Sequence, residues 1–201
     1  MNIRMVLGGI AVIALATTAC ATRYINPSTV QNPPPTERFA AFDRFELTSV
    51  TLEPAYAAQG ANQKATAKIQ EYFDLQVQPL INRWNGGKPA RQTSRTLRIE
   101  PRIEHIKFIG GGTRFWVGAL AGSSAVIMKV KYIEKTTGKV IAEPEFFQRA
   151  AAMSGALTFG AQDNAMLSRI VTLVADYTSH NYQQAVGGPS GAPEELVRPG
   201  E

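Results

Sequence analysis

The 201-residue chain reads as an α+β protein with a small, mostly antiparallel sheet, built in the order strand, helix, three strands, helix. Two helices are expected on one face of that sheet. Three observations predict this. Residues 62–84 and 163–182 carry apolar side chains every three or four positions. Residues 96–108 and 124–151 alternate apolar and polar, broken by a Thr-Gly-Lys turn. Glycine- and proline-bearing stretches mark the boundaries between them.

The first strand falls within Phe42 to Thr51, where Phe45, Leu47 and Val50 are the apolar positions. In the first helix Ala65, Ile69, Phe73, Val77, Leu80 and Trp84 form one face, with a kink expected at Pro79 and an end at Asn85-Gly86-Gly87. The second strand, Thr96 to Phe108, points Leu97, Ile99, Pro101 and Ile103 to one side. Its Pro101 suggests an edge or a bulge, because proline cannot donate to a ladder. Ser124 to Lys135 places Val126, Met128, Val130 and Tyr132 on one face, and Ile127, Lys129, Lys131 and Ile133 on the other. Thr136-Thr137-Gly138-Lys139 turns the chain, and Val140 to Ala151 returns. Asp163 caps a last helix to about Tyr182, with Met166, Ile170, Val174 and Tyr177 inward.

The chain is expected to divide into a signal peptide (1–19), a lipidated N-terminus and Pro-rich tether (20–36), one α+β domain (37–185) and a disordered tail (186–201). Met5 to Ala16 is an uncharged apolar run of twelve residues behind Arg4. A bilayer span needs about 20 such residues, so the run has the length of a signal core. The only cysteine, Cys20, follows it after Thr17, Thr18 and Ala19. A lone cysteine makes no internal disulfide, and in an oxidising compartment a free thiol is a liability. Leu15-Ala16-Thr17-Thr18-Ala19-Cys20 resembles the lipobox of bacterial lipoproteins. That resemblance implies acylation of Cys20, and with Ala21 next it implies sorting to the outer membrane, facing the periplasm. Thr17-Thr18-Ala19 and Ala19-Cys20-Ala21 also fit ordinary signal cleavage, which would leave a soluble secreted protein. Pro33-Pro34-Pro35 favours an extended stalk, and the Gly- and Pro-rich end of the chain has little to bury.

The formal charge of +5 includes Arg4 in the leader, and the basic residues are scattered. Nucleic-acid binding would need a dense basic stripe with interleaved aromatics, so no nucleic acid is expected. Ile109 to Ser124 is the most unusual stretch. It has no lysine to close a phosphate loop. Either it packs as a flexible apolar loop, or Phe115, Trp116, Gly118 and Gly122 contact a partner or a membrane surface. The two histidines, His105 and His180, lie in different elements, and His105 is expected on the opposite strand face from Glu104. Glu143 and Glu145 are two apart around Pro144 and read as an exposed edge rather than an acid–base pair. No catalytic residue, metal site or cofactor is expected.

Gly112-Thr113-Arg114, Val117 to Ser124, Val126 to Glu134 and Thr137-Gly138-Lys139-Val140-Ile141 together resemble the bacterial family known as domain of unknown function 4410. The resemblance runs from about Leu97 to Tyr182 and includes the leader. It implies a small envelope lipoprotein and implies no activity. The function expected is therefore a non-enzymatic lipoprotein, held on a membrane by its lipid, that binds an unknown envelope protein or wall component. Two other classes remain open: a subunit of an oligomeric outer-membrane ring or pore, and an envelope hydrolase.

Overall fold

In the computed structural model, the structure describes residues 26–87, 95–108, 123–151 and 161–197. The strands are β1 (Gln31–Asn32), β2 (Arg44–Leu47), β3 (Thr51–Leu52), β4 (Thr96–Lys107), β5 (Ser123–Glu134), β6 (Val140–Ala142), β7 (Glu145–Ala151) and β8 (Gly188–Pro189). The helices are α1 (Gly60–Gln76), α2 (Gln78–Gly86), α3 (Ala161–Gln183) and α4 (Glu194–Val197). The main sheet runs β2-β4-β5-β6, with β3 beside β4 and β7 beside β5. Its β4–β5, β5–β6 and β5–β7 pairs are antiparallel, while β2 and β3 run parallel to β4. The fold is the α+β class that the apolar periodicity predicts.

The inner face of the sheet holds the core. Leu97, Ile99 and Ile103 of β4 and Val126, Met128, Val130 and Tyr132 of β5 are buried there with Ile69 and Phe73 of α1 and Ile170 and Val174 of α3. Phe39 stacks on Tyr132 with ring centroids 4.7 Å apart, and Phe146 meets Tyr177 edge-on at 5.9 Å. The Tyr132 hydroxyl pairs with Thr178 Oγ1 at 2.6 Å, so its polar end is satisfied inside the core.

Four local expectations are corrected. The first helix breaks at Val77, and Pro79 sits in the first turn of α2, where a missing N–H costs nothing. The break shifts the apolar stripe by one position, so Ile81 is buried and Leu80 is not. Pro101 lies on an interior strand. The Thr48 N–H donates to the Ile99 carbonyl and the Glu53 N–H to the Ile103 carbonyl. Pro101 falls between them, where the chain leaves the ladder from β2 to β3, so its missing donor is opposite a gap. A register shift between Ile103 and His105 interrupts the strict alternation assumed for Glu104 and His105.

The largest difference concerns the two ends. Residues 26–36, expected as a tether, form a strap along the β6/β7 edge, and residues 186–197, expected as a disordered tail, pack beside it. β1 pairs with β8, and the Ser190 N–H and hydroxyl both reach the Val30 carbonyl. Ala192 and Leu196 are buried against Ala125, Ile127 and Phe147 on the outer face of the sheet. Asn181 accepts hydrogen bonds from the Val186 and Gly187 N–H groups and donates to the Gly187 carbonyl. Side chains thus satisfy backbone groups that the Gly/Pro composition leaves without a regular ladder.

Candidate functional site

The outer face of the sheet carries an open cleft of about 530 Å³. Thr48, Ser49 and Thr51 form one wall, β4 and β5 the floor, and Glu143 the far rim. The strand pleat explains the floor. With Leu97, Ile99 and Ile103 turned inward, Arg98, Glu100 and Arg102 must point outward, opposite Ile133, Lys131 and Lys129.

Arg102 and Lys129 are directly opposed like charges, an unfavourable cross-strand pair. Glu104, displaced by the bulge, answers both: it lies 4.0 Å from the Arg102 Nε and 3.5 Å from the Lys129 Nζ. Glu53 also binds Arg102 and raises its pKa above the ordinary guanidinium value through that hydrogen bond. Lys131 lies 3.5 Å from Glu143, Arg98 2.6 Å from Glu100, and Lys135 2.8 Å from Glu46. Each of these outward cations therefore lies near a carboxylate.

A second polar cluster closes the other end of the sheet. Arg95 grips Glu37 with two hydrogen bonds of 2.9 and 3.1 Å, donates to Glu134 at 2.6 Å, and lies 4.3 Å from the Phe42 ring centroid. The Arg95 hydrogen bond holds the Glu37 carboxyl below its ordinary value, and Arg95 followed by Thr137 does the same for Glu134. The cluster fastens the N-terminal strap to the β5–β6 turn, and Lys139 completes it at 3.2 Å from Glu37.

The structure separates the residues that the sequence singles out for chemistry. The His105 Nδ1 pairs with the Tyr56 hydroxyl at 2.8 Å, while His180 is exposed in the last turn of α3. Glu143 is at the groove rim. Glu145 is buried rather than exposed, and it accepts hydrogen bonds from the Ser28 N–H at 2.6 Å and hydroxyl at 3.0 Å. The two carboxylates serve different partners. Among the described residues, no group of three His, Cys, Asp or Glu is placed to hold a metal ion, and no helix is long and apolar enough to cross a membrane. Cys20, Phe115, Trp116, Gly118 and Gly122 lie outside the described residues. The groove is what sequence reading misses: its basic residues look scattered. The usable signal is the shared outward parity of Arg98, Glu100 and Arg102 with Lys129 and Lys131 across one hairpin.

No family model matches the chain, and no curated protein does. Among solved structures, it is similar to a PelC dodecamer from Paraburkholderia phytofirmans (11% identity, TM-score 0.35), covering 71% of this chain and 92% of that one. A DUF330-family protein from Xanthomonas campestris gives 11% identity and a TM-score of 0.41, covering 78% of this chain and 95% of that one. A hypothetical protein from Chlamydia trachomatis gives 10% and 0.38, covering 68% and 98%. Likeness of this size carries no functional statement.

Proposed function

We propose that the chain is an exported lipoprotein, anchored through an acylated Cys20 in the outer membrane and facing the periplasm. Its body binds another envelope component without catalysing a reaction. The observation that carries this reading is the placement of the only cysteine three small residues after a twelve-residue apolar run. Two or three acyl chains suffice for stable attachment, since each buried methylene contributes about 0.8 kcal/mol. The groove is consistent with a binding role: its ionisable groups face one another across a face left open to solvent. The glycine-flanked Phe115–Trp116 pair would supply an apolar contact to the partner.

The test is the intact mass of the mature protein taken from membranes. A diacyl- or triacyl-cysteine at position 20 is the expected result, and Cys20→Ala should move the protein to the soluble fraction. A mature chain beginning at Ala21, or at an unmodified Cys20, would sink the anchor. Crosslinking from Trp116 in intact cells checks the binding role: one recurring envelope partner supports it, and recovery of uncrosslinked protein alone counts against it.

A further inference from the structure

The strap runs along the β6/β7 edge, and at Ser28 it is held by Glu145 on the groove side of the sheet. Only six residue steps separate Cys20 from Asn26, the first described residue. Even fully extended they reach about 20 Å. The expected stalk is therefore a short leash, because Ser28 is already bound to the body through Glu145.

Where the leash leaves the body is fixed by register. Glu145 of β7 is the direct partner of Lys129 of β5. Opposed residues on paired strands project to the same face, so the Glu145 carboxylate that holds Ser28 lies on the outer face beside the groove. The inner face is covered by a helical layer, making the body about 20 Å thick from sheet to helices. Turning the helices toward the bilayer would stretch the leash to its limit. Turning the groove toward the bilayer leaves it slack.

The groove has the chemistry for that neighbour. Arg102, Lys129 and Lys131 alternate with Glu53, Glu104 and Glu143. Three of the ion pairs have separations of 3.5–4.0 Å, longer than hydrogen bonds, so each cation keeps donors available to an incoming phosphate. A zwitterionic phospholipid offers a phosphate and an ammonium group side by side, which matches a surface of both signs.

We infer that the groove face docks on the zwitterionic phospholipid headgroup layer of the membrane that holds Cys20. This rests on the anchor reading above. The experiment uses the full acylated protein in vesicles of phosphatidylethanolamine and phosphatidylcholine. Acylation consumes the Cys20 thiol, so Thr51→Cys at the groove wall and Asp176→Cys on α3 each give a unique label site. Energy transfer to a headgroup-labelled lipid should be several-fold greater from position 51. A flexible insertion of about ten residues between Arg23 and Tyr24 lengthens the leash, and the preference should survive it. Combining that insertion with Lys129→Glu and Lys131→Glu should abolish the preference. Equal transfer from both sites overturns the docking, as does a preference lost on insertion alone, which the leash by itself would explain. Co-sedimentation with the vesicles and the mass of Cys20 report the anchor separately. Acylated protein that sediments but shows equal transfer leaves the anchor standing and removes the docking. An unmodified Cys20 overturns both.

Discussion

The two faces of the sheet obey different physics. The inner face excludes water and is filled by rings and aliphatic side chains, including Phe39, Phe73, Tyr132 and Phe146, all with no exposed surface. The outer face is divided: Ala192 and Leu196 cover Ala125, Ile127 and Phe147, while the groove arranges charge, and at Glu104 a strand is distorted to do so. The inner face is specified by volume, the groove by sign. Stability should therefore be concentrated on the inner face, and recognition on the outer one.

The largest effect should come from the inner face. Phe146→Ala leaves a cavity between β7 and Tyr177 and is expected to cost about 3–5 kcal/mol in chemical denaturation. A smaller cost would mean that the strap collapses into the space. Next come the edges, where the faces meet. The Asn32 side chain donates to the Glu145 carbonyl and accepts from its N–H at 2.8 and 2.9 Å, as a neighbouring strand would. Asn85 does the same for Phe45 on the opposite edge, at 2.9 Å both ways. Asn32→Ala orphans buried backbone groups and should cost about 2–3 kcal/mol. Asn85→Ala, where water can replace the amide, should cost about 1 kcal/mol. Both variants should also raise self-association in light scattering, because an unblocked edge recruits other strands.

The Arg95 cluster should give a smaller, pH-dependent effect. Its two carboxyls titrate below their ordinary range in the folded chain. Their contribution is therefore present above the unfolded carboxylate pKa, about 4.3, and is lost as pH falls through the lower folded values. Denaturation midpoints should fall on acidification below that point, and Arg95→Met should flatten the fall. Smallest of all is the groove. Lys131→Gln should change stability by no more than about 0.5 kcal/mol, because exposed ion pairs are weak and screened by salt. A large loss there would break the division between the faces.

The sequence made the inner face legible and left the outer one dark. Ile69, Phe73, Met166, Ile170 and Val174 repeat at helical spacing, and Val126 to Tyr132 alternate, because burial on one side imposes a local period. The strap and tail impose none. β1 and β8 are two residues each, and they meet from opposite ends of the chain. Their stability comes from single side chains such as Asn32, Asn181 and Ser190, whose partners no pattern announces. The parallel pairing of β2 with β4 is similarly non-local. The bulge that positions Glu104 answers a charge on another strand, so it too is invisible along β4 alone.

The pairing of β1 with β8 makes the C-terminus a clip. The crossing is close: Gly187 has a φ of +76°, and a Cβ there would sit 2.4 Å from the Asn32 carbonyl oxygen. If residues 188–197 were trimmed away, β1 and Val30 would lose their backbone partners there, and the strap would be left on its side-chain ties, Ser28 and Asn32 to Glu145 and Tyr177 to Pro33. A carboxypeptidase acting at one end of this protein would thereby loosen the other.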